Sequence, residues 1–313
     1  MVAVLSTRNW VHCGREFSAA EIADLCATVA WLPGLPRQEL AATLCEHLAW
    51  FTLSGTPKIH ACQEFLERLQ AAGLLELPPL RPARPARPAR PDRPDRPDRP
   101  ERLLPAVEPI DEAPIHGPLQ ALGPVRLEIV RETMMAAQWD ALVARWHPLG
   151  FQGAFGYRLR YFITADDRRL GCLLLAGAAR AVAVRDRWIG WTVQARRENV
   201  PRVVNNSRFL IFPHVRVAHL ASHVLGQLAR RTRADWLDHW GFEPLLLETF
   251  VDPRHHAGTC YRAAGWQLLG TTSGRGLARP GQSYHSTPRQ VWVKPLTLDC
   301  RASLCAAQGS PRP

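Results

Sequence analysis

RVVNNSRFLIFPHVRVAHLASHVLGQLARRTRADWLDHW, residues 202–240, decides the fold of this chain. Its first third, Val203 to Phe212, is β-branched and aromatic and reads as a strand. Pro213 ends it, and from His219 to Trp240 the period changes. Leu220, Val224, Leu228, Trp236 and Trp240 then fall on one face of a long helix. A strand feeding a helix through a short turn also leaves free backbone N–H groups at the turn, a site suited to an anion.

Outward from this unit the pattern continues. Val125, Leu127 and Ile129 alternate as a strand, and Trp139, Leu142, Val143 and Trp146 space out as an amphipathic helix. Tyr157 to Ile163 and Leu170 to Leu175 read as strands. Leu245 to Val251 is a core strand, Thr259 to Ala264 a helix, and Trp266 to Leu269 and Val291 to Val293 are strands. The order β-α-β-β-β-α-β-α-β-β predicts one mixed sheet with helices on it, over residues 119–299.

The N-terminal 80 residues are helical. Ile22, Leu25, Cys26 and Val29 mark one helix ending near Pro33-Gly34. Pro36 starts a second, with Leu40, Leu44, Leu48 and Trp50 along it. Ile59 to Ala72 is a third, burying Cys62, Phe65, Leu66 and Leu69. Leu74, Leu75 and Leu77 read as a short terminal strand. The predicted fold is winged-helix-like, with Lys58, His60 and Gln63 heading a recognition helix; a small helical bundle that binds protein is the other reading. Between the two domains, residues 81–102 read RPARPARPARPDRPDRPDRPER. Proline at every third position predicts an extended spacer, taken as 81–118, of roughly 60–70 Å at about 3.1 Å per residue. Residues 300–313 read as a flexible tail. The fold class is therefore α/β (mixed α+β) in two domains.

The chain of 313 residues is 46% hydrophobic, which excludes wholesale disorder, and carries a net charge of +11. That charge is uneven: residues 1–80 sum to −3, whereas 151–300 hold 21 bases and 10 acids. Polyanion binding, DNA above all, is expected of the C-terminal domain. No apolar run reaches the ~18 residues of a membrane helix, so no membrane partner is expected. The start lacks the order of a signal peptide, and eight scattered cysteines without Cys-x-x-Cys read as reduced thiols of a cytoplasmic protein.

Two motifs in the predicted order carry chemistry. Arg216-Val-Ala-His219-Leu-Ala221 opens the long helix and is similar to the Arg/Gln-x-x-Gly-x-Gly/Ala turn of Gcn5-related N-acetyltransferases. Tyr261-Arg-Ala-Ala-Gly265-Trp266 resembles that superfamily's Tyr-x-x-x-Gly-Phe segment. The resemblance implies an acetyltransferase-like fold and acetyl-CoA or another acyl-CoA as cofactor. It implies that Arg216, His219, Ala221 and Ser222 lie along the coenzyme pyrophosphate, and that Tyr261 protonates a departing thiolate. His219 departs from the pattern, standing where a small residue is usual.

A second resemblance covers more of the chain. GYRLRYFI (156–163), RDRWIGWT (185–192), RVVNNSRFLIFP (202–213), LASHVL (220–225), LLETFVDP (246–253), GTCYRAAGW (258–266) and LGTTSGRG (269–276) look like the DruA family. That family takes its name from the Druantia anti-phage defence system, and some members sit beside transposases. The likeness implies a role near mobile DNA and defence, with protein partners from such a system, and no particular reaction.

Polar residues on apolar strands complete the candidates. Glu248 is expected either as a general base or as an ion pair with an arginine such as Arg208. Asp252 follows it at the strand end, and the two acids around Mg²⁺ would suit strand cleavage. Asn205, Asn206, Arg208, Arg262, Arg275 and Lys58 are candidates for nucleic-acid contact. His219 and His223 are spaced as many metal pairs are, but no glutamate completes a motif and no metal site is expected. The loop Gly270 to Gly276 lacks the Lys-Ser/Thr of a phosphate loop. Three function classes follow: amine acylation on DNA or another acceptor, DNA binding without catalysis, and DNA cleavage.

Overall fold

The structure is a computed structural model and describes residues 10–52, 56–79, 110–151, 156–273 and 287–306. The chain divides into two compact units, Met1–Pro109 and Ile110–Pro313.

In the first unit, strands β1 (Trp10–His12) and β2 (Arg15–Phe17) form a hairpin. Its two-residue turn holds Cys13 at φ +47° and Gly14 at φ +75°, the left-handed pair that suits the twist of the strands. Three helices follow: α1 (Ala19–Trp31), α2 (Arg37–His47) and α3 (Ile59–Ala71). Ser18 and Glu21 cap α1 reciprocally, which satisfies N–H groups left free by the helix start. Phe17 stacks on Phe65 at 4.2 Å and meets Trp50 edge-on at 5.1 Å, so the hairpin closes the helical core. Cys62, Phe65, Leu66 and Leu69 are the buried face of α3, as their spacing predicts.

The terminal strand expected at 74–77 does not form. Leu74 and Leu77 are buried as irregular chain, and the Leu77 N–H donates to Gln70 Oε1 at 3.0 Å. Pro78 and Pro79 have no N–H to give a ladder, and the strands of this unit lie instead before the helices. The start of α3 has Lys58 and His60 where a recognition helix would, but His60 is 3.3 Å from Glu64 on the same face. Glu67 is exposed one turn on, so this helix presents acids beside its bases.

The second unit is built on a seven-stranded mixed sheet. Its strands are β4 (Val125–Ile129), β5 (Arg158–Ala165), β6 (Arg168–Gly177), β7 (Val203–Ile211), β9 (Leu246–Val251), β10 (Gln267–Thr271) and β11 (Gln290–Pro295). The order is β10-β11-β9-β7-β6-β5-β4. All neighbours are antiparallel except β7 and β9, which run parallel. The helices are α4 (Thr133–Trp146), α5 (Ala183–Ile189), α6 (Val193–Asn199), α7 (Leu220–Trp240), α8 (Thr259–Ala263) and α9 (Cys300–Cys305). This is the mixed sheet flanked by helices that the periodicity predicts.

Two boundaries differ from the reading of the sequence. The stretch 81–102 lies outside the described residues, but the expected spacer does not extend to 118. Strand β3 (Ile115–Gly117) pairs in parallel with β8 (Val215–Val217), in the turn before α7. The tail does not begin at 300 either: Cys300 and Leu304 join Ile189, Val203, Leu246 and Val293 in one buried cluster. Two apolar groups one helical turn apart supply a face that this end of the sheet covers. Among the described residues no helix is long and apolar enough to cross a membrane.

Candidate functional site

Strands β7 and β9 pair over only three residues: Val203 with Leu246, Val204 with Leu247, and Asn205 with Glu248. Beyond that point they part. On β7 the separation coincides with a bulge, since Leu175 faces Asn206 and Leu174 faces Arg208, leaving Ser207 without a partner position. A bulge re-aims side chains and bends its strand. β9 instead keeps its pairing with β11 as far as Val251. Polar side chains therefore meet backbone that the ladder no longer occupies.

Tyr261 lies at this parting. Its ring is buried, 5.1 Å from Trp266 and 6.4 Å from Phe209. Asn206 Nδ2 donates to the Tyr261 hydroxyl at 3.1 Å. Thr249 Oγ1 gives its proton to the Asn206 carbonyl at 2.9 Å and lies 3.5 Å from the same hydroxyl. Burial pushes the phenol far above its ordinary value, so at neutral pH it holds its proton. The helix that carries it starts at Gly258, with φ +70° and space for no side chain. A Cβ there would be 2.7 Å from the Trp292 ring. Asn205 Oδ1, Asn206 Oδ1 and Ser207 Oγ are buried around this point without a hydrogen-bond partner among the described residues.

Glu248 is not a general base. It is fully buried, with Arg185 Nη1 donating to Oε2 at 2.9 Å and the Ala179 N–H donating to Oε1 at 3.3 Å. Arg185 is as buried as its partner and also donates to Asp186 Oδ1 and the Ala179 carbonyl. Burial pushes the Glu248 carboxyl upward while the guanidinium pulls it back; two carboxylates hold Arg185 protonated. The expected ion pair is thus real, but its arginine is Arg185 and not Arg208. Arg208 is half-buried and donates to the Gly150 and Ser207 carbonyls.

Asp252 does not converge with Glu248. Arg254 donates to it through Nε at 3.1 Å, Nη2 at 2.7 Å and its backbone N–H at 3.0 Å, which holds the carboxyl well below its usual range. One acid closed inside an ion pair and another taken by a fork of donors leave no pair of carboxylates for a shared cation, and the cleavage reading loses its residues. Asn206 is likewise no base-edge contact, because it is buried against Tyr261. Arg262 is exposed, 5.8 Å over the Trp292 ring, and Arg275 lies outside the described residues.

The turn before α7 keeps a glycine's backbone without a glycine. His219 caps the helix at φ +65° and ψ −3°, a left-handed conformation in which histidine is tolerated better than most side chains. Its ring is exposed, and Ser222 Oγ and the His223 N–H both donate to its carbonyl at 3.0 Å. The His223 ring is engaged through Nε2 by Gln227 at 2.9 Å. Arg216 is exposed on β8. Replacing His219 by glycine should leave the unit as stable or up to about 1 kcal/mol more stable in thermal melts, since left-handed strain is relieved. A clear loss of stability would show that the ring supports the turn.

Two features escaped the sequence reading. In the first unit His12, Cys13 and Glu64 bring possible metal-ligating atoms within 4.8 Å of one another. Arg68 donates into His12 Nδ1 at 3.0 Å, and a guanidinium beside the ring opposes a cation there. Arg185 also went unnoticed, although Val182, Arg185 and Ile189 form one buried stripe. A charge on an apolar helical stripe was the available signal.

Among solved structures the chain is similar to an acetyltransferase of Bacillus subtilis in complex with CoA, at 11% identity and TM-score 0.35, covering 56% of this chain and 100% of that one. It is similar to aminoglycoside acetyltransferase AAC(6')-Ib in complex with coenzyme A and kanamycin, at 14% identity and TM-score 0.35, covering 55% and 95%. It is also similar to an N-acetyltransferase from Staphylococcus aureus Mu50, at 9% identity and TM-score 0.34, covering 56% and 99%. None of the three is near enough to say what this chain binds. A comparison with curated proteins finds no match. The family described as Druantia protein DruA matches residues 107–290. That match takes in more than half of the sequence and every strand from β3 to β10, and the chain belongs to the DruA family.

Proposed function

We propose that this DruA protein is a DNA-associated group-transfer protein whose reaction centre is the parting of β7 and β9. The observation that carries the reading is the Tyr261 hydroxyl, buried and held by Asn206 where the pairing of β7 and β9 ends. An acyl-CoA fits what surrounds it. Helix α7 starts at His219 with no side chain capping its first N–H groups. Arg216 with the amides of Ala221 and Ser222 would hold the pyrophosphate. When bound, such a donor supplies an activated acyl group. Tyr261 would place a proton at the parting, and Asn206 would fix the direction of its hydroxyl. Glu248 has no part in proton transfer; with Arg185 it sets the position of β9.

DNA association rests on a separate argument, the excess of bases over acids in residues 151–300. A defence or mobile-element role, with partner proteins of such a system, is in keeping with the family. Binding without catalysis is the second reading, favoured by the histidine in the phosphate turn.

Calorimetric titration of the full chain with acetyl-CoA tests the donor. Saturable binding in the micromolar range, weakened about tenfold by Arg216→Ala, roughly the loss of one charge-assisted contact, is the expected result. No heat and no thermal shift would leave the non-catalytic reading in its place.

A further inference from the structure

Around the parted end of β7, bases gather. Arg208 lies between Asn206 and Phe209, both of which reach Tyr261, yet it turns instead to the Gly150 carbonyl beyond α4. Arg289 directly precedes β11, whose Gln290 pairs with Val251 at the far end of β9. His256 follows that end, its N–H on the Asp252 carbonyl, and His147 closes α4. Asn205 pairs with Glu248, and Val251, three residues on, with Gln290, so the register brings Arg208 and Arg289 to one level of the sheet. Burial and the charge of Arg289 lower Arg208. Burial, Arg208 and His256 hold His147 down to about 4.

Among the described residues no carboxylate pairs with Arg208 or Arg289. The acceptors of Arg208 are neutral carbonyls, and Asp252, the acid at this end of β9, is occupied by Arg254. Arg289 Nε is buried without a hydrogen-bond partner among the described residues, and so is Ser207 Oγ at the bulge. A half-buried guanidinium without a counter-anion is costly, and its planar fork matches phosphate oxygens.

We propose that Arg208 and Arg289 seat a phosphate group, with Ser207 Oγ as a further donor, at the parted end of β7. The phosphate is that of a nucleic-acid strand or of a free phosphate compound. This deepens the group-transfer reading by making the acceptor a phosphate-bearing molecule, and its meaning for the reaction rests on that reading; the seat itself does not.

The test uses the full chain without any coenzyme. A fluorescein-labelled single-stranded oligonucleotide is followed by anisotropy across a salt series, and inorganic phosphate is titrated separately by calorimetry. Arg208→Gln and Arg289→Gln should each weaken oligonucleotide binding about tenfold and lower the salt slope by about one. Arg131→Gln, which breaks only the exposed pair with Asp238, should change neither. Thermal melts of the variants guard against misfolding, and agreement between the two arginine variants guards against a local effect of either. Arginine-dependent binding of phosphate with no oligonucleotide binding supports the seat and identifies a small phosphate compound. Wild-type affinity and salt slope in both variants overturns it. Acetyl-CoA titration of Arg208→Gln separates the two proposals. A donor that binds while the phosphate arms fail removes only the seat; no donor binding with arginine-dependent oligonucleotide binding removes only the transfer reading.

Discussion

Arg185→Met should destabilise the C-terminal unit by about 3–5 kcal/mol, because it leaves Glu248 charged and unpaired in a dry interior. In a unit of this size that is a fall of roughly 10 °C in Tm. The double variant Arg185→Met/Glu248→Leu should recover most of the loss, since an apolar pair of similar volume replaces both charges. Denaturant melts of the four proteins of this cycle give the coupling directly. A single variant as stable as the parent, or a double variant no better than the single, would contradict the assignment of Glu248 to structure.

A second large effect is expected in the middle of the sheet. Gly171 lies on β6 between β5 and β7, and a Cβ there would be 2.2 Å from the Leu210 carbonyl oxygen and 3.1 Å from Ile211 Cα. Backbone cannot yield as a side-chain tip can. Gly171→Ala should therefore push β7 outward and cost about 3 kcal/mol, the upper part of the overpacking range. Because β7 carries Asn206, the variant should also disturb the Tyr261 environment, seen as a change in tyrosine and tryptophan near-UV circular dichroism. Unchanged stability and spectrum would mean that β6 and β7 are not packed as described.

The contrast between these residues and others says what the sequence made legible. Helix α3 and strand β4 were readable because their apolar residues repeat at 3.6 and 2, and burial follows that repeat, whereas β6 was readable as a continuous apolar run. Tyr261 was readable as a candidate from its spacing to Gly265 and Trp266, whereas its contact with Asn206 joins residues 55 apart in sequence. The roles of Glu248 and Asp252 were not legible. A carboxylate looks the same in sequence whether it faces solvent, a substrate or a guanidinium 63 residues away. The short helices α5 and α6 were hidden for a related reason: seven residues each, they carry several charges, and α5 turns Arg185 inward where α6 turns Asn199. The hairpin β1–β2 turns on Cys13-Gly14, a weaker signal than asparagine or aspartate before glycine. The strand expected at 74–77 failed because an apolar run predicts burial, and burial without a partner strand needs no ladder.

The central claim is that a donor occupies the turn at His219 and reaches the parting of β7 and β9. Heteronuclear NMR of the isotope-labelled full chain during addition of acetyl-CoA tests it most directly. The Ala221 and Ser222 amides and the Asn206 side-chain amide should shift together along one saturation curve. Shifts confined to other regions, or none at saturating donor, would contradict it.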